Sequence, residues 1–340
     1  MRVLVLHAWL KGNLGDVLQL SVLLSALREL KPDVLDLAGF PARPAEETAE
    51  ILQLIDRYVP DTFPWYWSLA PTMVGDVVFE PWWRKRRRAL FSRYDAIVCA
   101  PGPYLADYDL RVTSALSDIA IATELGLPVV LSSHSIGPLK PERLAAVAKA
   151  SARVAREPST YHYLCEHGMS AVLSADLAFL YPYAAIEARV STQPPYRLVF
   201  LRSNNLDASA LRLEDGALYE GSRLIAEASS DQLVLATSDY RRDGRFLARA
   251  ARRLGVSWIA CRSVTELVQL VASSSGVVSD RYHPAICAAA LGKPAQVLSN
   301  REPHKMQGLK GLLADNTLED LQELARAGLG TVRDTLRSKV

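Results

Sequence analysis

Residues Gly276 to Lys305 read GVVSDRYHPAICAAALGKPAQVLSNREPHK, and this stretch decides how the chain is built. A short apolar run, Val277 to Ser279, opens it and a second, Ala295 to Ser299, closes it. Between them, small residues from Pro284 to Leu291 keep a helical spacing. The pattern predicts strand, helix, strand. A strand that runs straight into a helix sets the connecting residues at its own carboxyl end and at the positive end of the helix dipole, where anions bind. Those residues are Asp280, Arg281, Tyr282 and His283. Pro284 suits the first helical position, where a missing N–H costs nothing, which puts His283 at the cap. Arg301, His304 and Lys305 follow the second strand. If both strands are parallel they end on the same sheet edge, and two neighbouring loops bring cationic and titratable groups to one crevice.

The same arrangement recurs along the chain. Arg2 to His7 is a leucine and β-branched run suited to a buried parallel strand. The turn Lys11-Gly12-Asn13-Leu14-Gly15-Asp16 follows, then a helix from about Asp16 to Leu30. Gly12-Asn13-Leu14-Gly15 is not GxGxxG, and no acidic residue sits at the offset a dinucleotide needs, so the turn reads as backbone amides open to a ligand and not as an NAD site. Val34 to Leu37 continues as a strand and Pro44 to Tyr58 as a helix. Further strands are expected at Asp95 to Cys99, Pro128 to Ser133, Arg153 to Ala155 and Val172-Leu173. Polar residues gather where each apolar run stops, including Ala100-Pro101-Gly102, His134-Ser135, Arg156-Glu157 and Ser174-Ala175-Asp176. Repeated βα units of this kind predict a doubly wound α/β domain with its site at the strand ends.

Residues Tyr181 to Pro195 are rich in proline, tyrosine and alanine, and a domain boundary is placed there. A second α/β run begins at Arg197 to Leu201, ending in Arg202, and continues through strands near Gln232 to Ala236 and Val256 to Ala260. The fold class expected is therefore α/β, with two Rossmann-like doubly wound domains facing a cleft. They comprise residues 1–185 and 196–315, with a C-terminal helix over 316–340 able to pack on either. Residues 61–93 interrupt the first domain with Trp65-Tyr66-Trp67, Trp82-Trp83 and Arg84-Lys85-Arg86-Arg87-Arg88. Long insertions in compact domains are often lids or binding loops. Three readings stay open for this one: a solvated helix with its tryptophans in the core, aromatics stacking on sugar, or a contact with an anionic membrane surface.

Composition narrows the class. The 340 residues carry a net charge of +2 and 49% hydrophobic residues, enough apolar mass for two cores and no global electrostatic case for nucleic acid. The four cysteines, Cys99, Cys165, Cys261 and Cys287, form no CxxC pair and read as free thiols of a reducing compartment. MRVLVLHAW turns polar by Lys11, too early for a signal peptide or a span, so a cytoplasmic protein is expected. No HxxxH, paired-carboxylate or Cys/His spacing predicts a metal.

Several segments together resemble the polysaccharide pyruvyl transferase family. They are Gly12-Asn13-Leu14-Gly15-Asp16, Ser133-His134-Ser135-Ile136-Gly137-Pro138, Arg156-Glu157-Pro158-Ser159, Asp176-Leu177-Ala178-Phe179, Leu201-Arg202 with Asp243, and Ser279-Asp280-Arg281-Tyr282-His283-Pro284, with Lys305 and Gly308 beyond. Against the family's usual pattern, Ala100-Pro101-Gly102 stands for a glycine triplet, His134 for a glutamine and Tyr282 for a leucine. The resemblance implies a fold like that of two-Rossmann (GT-B type) glycosyltransferases. It also implies transfer of pyruvate from phosphoenolpyruvate to sugar hydroxyls of a polysaccharide or glycolipid precursor, forming a ketal. No cofactor beyond that donor substrate is implied. The acceptor would be a lipid-linked or nucleotide-linked sugar of exopolysaccharide or cell-envelope synthesis, and peripheral contact with the inner face of an anionic membrane is an option for the insertion.

That chemistry needs a proton for the methylene carbon, a deprotonated attacking hydroxyl and a stabilised phosphate. Arginine forks suit the donor's carboxylate and phosphate, so Arg281, Arg202 and Arg156 are candidates. His283 suits proton transfer, as general acid or base, and Lys305 the departing phosphate. Asn13, Gly15, Asp16, His134 and Ser135 complete the expected donor-contacting set. Each has a plainer reading too: Arg281 pairing with Asp280, His283 capping its helix, His134 satisfied by backbone. The alternatives are a metal-independent nucleotide-sugar glycosyltransferase of the same architecture and a non-catalytic glycan-binding relative.

Overall fold

The computed structural model describes residues 1–9, 13–36, 80–109, 111–186, 196–203, 211–227, 232–298 and 303–338, excepting the side chains of residues 80–83 and 303–304. The helix expected over Pro44–Tyr58, Trp65-Tyr66-Trp67, Arg301, residues 187–195 of the expected boundary and the side chains of Trp82, Trp83 and His304 lie outside these residues.

Seven strands form the first sheet: Val3–Ala8 (β1), Asp33–Asp36 (β2), Ala96–Cys99 (β3), Gly102–Leu105 (β4), Val129–Ile136 (β5), Ala152–Ala155 (β6) and Val172–Leu173 (β7). Their order is β2-β1-β3-β5-β6-β7, with β4 added on β5 and every pair parallel. Its helices are Leu14–Ala26 (α1), Glu80–Phe91 (α2), Val112–Glu124 (α3), Pro141–Ala148 (α4) and Pro158–Glu166 (α5). After Tyr196–Phe200 (β8), three strands, Leu211–Glu214 (β9), Ala217–Glu220 (β10) and Arg223–Glu227 (β11), make a small antiparallel sheet. The chain then returns to β8 with Gln232–Thr237 (β12), Ser257–Ala260 (β13), Gly276–Ser279 (β14) and Ala295–Val297 (β15). Helices Tyr240–Leu254 (α6), Val264–Ala272 (α7) and Tyr282–Ala290 (α8) alternate with them, and Pro303–Asp315 (α9) and Leu318–Arg337 (α10) follow.

The second sheet runs β13-β12-β8-β14-β15, all parallel. This is the dinucleotide-fold order, reversing between β8 and β14; the first sheet reverses between β1 and β3. Such reversal points open a crevice at the carboxyl ends of the strands, where ligands bind in open α/β sheets.

α1 explains how the two sheets meet. Leu14, Val17, Leu18, Leu20, Val22, Leu23 and Leu24 are all buried, and a helix apolar nearly all round must be covered on several sides. It packs on α7, on α8 and on the turn Leu177–Leu180, and the Leu14 N–H donates to the Ser238 carbonyl at 2.9 Å. One continuous core therefore holds Leu14 and Leu18 together with Leu267, Val268 and Ile286. Each such buried leucine or valine contributes about 1.5–3 kcal/mol. α10, started by a Thr317/Asp320 capping box, returns to the first sheet. Ser174 donates to its Leu324 carbonyl at 3.2 Å and Gln322 donates to the Phe179 carbonyl, also at 3.2 Å.

β5 does not stop at Ser133 but continues through His134 and Ser135, both buried. The strand runs on because β4, read from sequence as loop, pairs with its second half. The arginine run of residues 84–88 lies on α2, where Arg84 and Arg88 pair with Glu124 at 2.8 and 2.6 Å and Arg87 lies 3.3 Å from Asp118. Three of its five cations are thus engaged by α3, which favours the solvated-helix reading of this part of the insertion.

Candidate functional site

The turn between β14 and α8 is fixed by Ser279, whose hydroxyl accepts from the Arg281 N–H at 2.9 Å and donates to the Arg281 carbonyl at 2.7 Å. Arg281 is the N-cap and the helix begins at Tyr282. His283 is thus the second helical residue and not the cap, and Pro284 is the third. Its missing N–H is harmless there as well, because the first four N–H groups of a helix have no intrahelical acceptor.

The groups expected in one crevice fall into two clusters. In the first, the Arg281 guanidinium is bound by Asp243 and lies 3.5 Å from Asp239, both at the start of α6. Burial raises the pKa of Asp239, while the Arg281 charge opposes that rise. Asp243 also accepts from the Ser203 N–H at 3.0 Å, and Asp280 accepts from the Arg202 N–H at 2.9 and 3.1 Å. These contacts lock the ends of β8 and β14 together at the reversal point. Asp280 serves the Arg202 backbone, so the plainer reading of Arg281, a pair with Asp280, gives way to a pair with Asp243.

His283 belongs to the second cluster, which spans both sheets. Its Nε2 lies 3.6 Å from Asp176 Oδ2. Arg156, fully buried at the end of β6, donates to the same oxygen at 2.8 Å, to the Ser135 hydroxyl at 2.6 Å and to Gln19 at 3.4 Å. Burial alone would raise the Asp176 pKa; His283 and Arg156, with the Ala178 N–H, more than reverse this and hold it at about 2. The Tyr282 ring carries the Arg156 guanidinium 4.6 Å from its centroid and the Lys305 ammonium at 5.2 Å. Ser135 donates to Glu157 at 3.0 Å and Thr160 donates to it at 2.6 Å. Burial pushes the Glu157 pKa up against the lowering pull of Arg156, Thr160, Ser135 and Lys305.

The opening glycine turn completes this cluster. Asn13 caps α1 by accepting from the Gly15 N–H at 3.2 Å and donates to Asp16 at 2.7 Å. Gly15 lies directly against the His283 imidazole, so that any Cβ at this position would overlap the ring. Three buried polar atoms on adjoining side chains, Arg156 Nη2, His283 Nε2 and Tyr282 Oη, have no hydrogen-bond partner among the described residues. Leaving such groups unmade costs about 1–3 kcal/mol each.

His134 is drawn away from the cluster. Its Nε2 meets the Tyr104 hydroxyl at 2.7 Å, and burial, with His7 and Arg156 nearby, pushes its pKa down to about 3. Two irregularities aim this region. Register shifts in β1 and β5 accompany left-handed backbone at His7 (φ 63°) and Ser133 (φ 48°). They set His7 and His134 edge-on to the Tyr104 ring at 5.2 and 5.0 Å. His7, given no role from sequence, contacts Asp118 at 3.1 Å. Asp176 and Gln19 were equally absent from the candidate list. Asp176 carried the same strand-end signal as Arg156, whereas Gln19 and Asp118 carried none.

Residues Asn13 to Arg202 and Asp280 to His283 fall inside one stretch, 13–302, that matches the model of the polysaccharide pyruvyl transferase family. The chain belongs to that family. It is a transferase family, and Lys305 lies just beyond the matched residues. Among curated proteins none matches the chain. Among solved structures, this pyruvyl transferase relative is similar to the UDP-GlcNAc 2-epimerase of Methanocaldococcus jannaschii in complex with UDP-GlcNAc and UDP. The identity there is 13%, the TM-score 0.60, and the match covers 99% of this chain and 100% of that one. The enzymes of Rickettsia bellii (12%, TM-score 0.57, 99% and 96% covered) and Neisseria meningitidis (10%, 0.55, 99% and 100%) are similar to it as well. At these identities the likeness is one of fold, two Rossmann-like domains of the GT-B type.

Proposed function

We propose that the protein transfers pyruvate from phosphoenolpyruvate to two hydroxyls of a sugar, releasing phosphate and leaving a cyclic ketal. The observation that carries this reading is the second cluster. One histidine, one arginine and one lysine meet around the Tyr282 ring where the two sheets join, with buried donor atoms still unmatched. A dianionic phosphoryl group asks for two cations, supplied by Arg156 and Lys305. Arg202, whose backbone Asp280 fixes, is assigned to the donor carboxylate. His283 protonates the donor methylene carbon, which makes the central carbon electrophilic. One sugar oxygen adds there, phosphate leaves, and the second sugar oxygen closes the ring. Of the two hydroxyl protons released, one restores His283 and the other leaves with phosphate. Asp176 orients His283 through its 3.6 Å contact, and Arg281 acts as a positioning residue for the turn that presents it.

Purified protein with phosphoenolpyruvate and a panel of sugar and lipid-linked or nucleotide-linked sugar acceptors is expected to release inorganic phosphate. His283→Ala is expected to retain donor binding and lose turnover. No phosphate release with any acceptor, together with thermal stabilisation by nucleotide sugars and not by phosphoenolpyruvate, would transfer the reading to a glycosyltransferase of the same architecture. Among the described residues no helix is long and apolar enough to cross a membrane. Contact with an anionic membrane through residues 61–93 would be seen as flotation with anionic liposomes at low salt, abolished at high salt.

A further inference from the structure

Tyr282 stands in the middle of the second cluster and does two things at once. Its ring face receives Arg156 at 4.6 Å and Lys305 at 5.2 Å, and its ring edge meets His283 at 5.6 Å between centroids. Its hydroxyl, on a side chain only 3% exposed, has no hydrogen-bond partner among the described residues. Buried tyrosine hydroxyls ordinarily find one. Two residues that meet its ring, Arg156 and His283, carry equally unmatched polar atoms, Nη2 and Nε2, and Asp176 already occupies Arg156 Nη1.

We infer that the Tyr282 hydroxyl is a ligand contact: it donates a hydrogen bond to the phosphoryl group held by Arg156 and Lys305, making Tyr282 a residue that selects a phosphoryl-bearing donor. Two cations on a single ring suit a dianion better than a carboxylate, which one arginine fork satisfies. Burial first, and Glu157 second, keep the phenol's pKa well above the ordinary value, so the hydroxyl stays protonated and has a hydrogen to donate. The cation contacts and the hydroxyl divide the labour. The ring holds Arg156 and Lys305 by cation–π contact, and the hydroxyl supplies the directional contact. A phenylalanine would provide the first and not the second.

This inference rests on the donor site proposed above, and the test separates the two. Titration calorimetry on the full-length protein compares wild type, Tyr282→Phe and Tyr282→Leu, with phosphoenolpyruvate, inorganic phosphate and pyruvate as probes. Tyr282→Phe is expected to weaken phosphoenolpyruvate and phosphate by about ten- to a hundredfold, leave pyruvate unchanged, and melt no earlier than wild type without ligand. Tyr282→Leu, which removes the ring as well, is expected to lose more. Wild-type affinity of Tyr282→Phe for both phosphoryl probes, or an equal loss for pyruvate, overturns the role of the hydroxyl and leaves the donor reading standing. A wild type that binds phosphate but not phosphoenolpyruvate removes the donor reading, and Tyr282 is then judged on phosphate alone. A wild type that binds neither overturns both.

Discussion

Gly15 is the floor on which the His283 imidazole rests, although 268 positions separate the two in sequence. One belongs to the first sheet's opening turn and the other to the second sheet's last βα crossing. A side chain at Gly15 would have to displace the ring from Asp176. Gly15→Ala is therefore expected to lower turnover at least tenfold. Overpacking of this kind costs about 1–3 kcal/mol of stability. Gly311, whose Cβ would find its nearest neighbour at 3.9 Å, is the control: Gly311→Ala should leave turnover unchanged. Equal activity for Gly15→Ala would show that the ring has room to move.

The carboxylate of Asp176 faces a fully buried arginine, so the two are expected to be strongly coupled. Asp176→Asn leaves Arg156 without its closest charge and should cost about 3 kcal/mol or more in chemical denaturation. A double variant, Arg156→Met with Asp176→Leu, should recover only part of that loss: paired apolar replacements of a buried ion pair are often neutral, but Glu157, 3.3 Å from Arg156, then loses its cation. Turnover should be absent in both. A double variant no more stable than Asp176→Asn would mean that the Glu157 left behind costs as much as the unpaired Arg156.

Acid should weaken the fold partly through His134. In the unfolded chain its imidazole takes a proton as the pH falls through about 6.5; in the folded protein burial delays this to about pH 3. Protons therefore favour the unfolded state across that window. The stability is fully present above pH 6.5 and is lost progressively below it, by about 2 kcal/mol at pH 5. Comparing thermal unfolding of wild type and His134→Gln at pH 7.5 and pH 5 isolates the effect. The advantage of wild type should shrink by that amount, and a constant gap would count against a buried neutral histidine.

Two glycines of α10 should respond in opposite directions. A Cβ at Gly328 would overlap Ser174 and meet Val154, whereas Gly330 has nothing within 4 Å. Gly330→Ala should stabilise by up to about 1 kcal/mol through helix propensity. Gly328→Ala should destabilise by about 1–3 kcal/mol, and equilibrium denaturation reads both.

Much of the fold was legible because buried parallel strands announce themselves as apolar runs. Val3–Ala8, Ala96–Cys99 and Gly276–Ser279 stand within a residue or two of expectation, whereas β5 runs three residues past it. The small antiparallel sheet from Leu211 to Glu227 was not seen, although Leu211-Arg212-Leu213-Glu214 alternates and Asp215-Gly216, both at positive φ, is a hairpin turn signal. β4 was hidden by Pro101, Gly102 and Pro103, residues that read as loop until β5 offers them an edge. For the site, strand ends located Arg156, Arg281 and His283, but not which carboxylate each would face; Lys305, expected in the loop after β15, stands in α9. Ion pairing is decided by the approach of α6 and of the Asp176 turn, and neither distance is written in local spacing. The left-handed backbone at His7 and Ser133 has no glycine to advertise it.

α1 has a bearing on how the chain can be dissected. Since Leu14 and Leu18 share their packing with Leu267, Val268 and Ile286, a fragment ending before β8 would carry an uncovered leucine face, and its complement would lack the lid over α7 and α8. Neither piece is a self-sufficient module. The intact molecule should melt in a single calorimetric transition, and separately expressed halves should be recovered only when they are produced together.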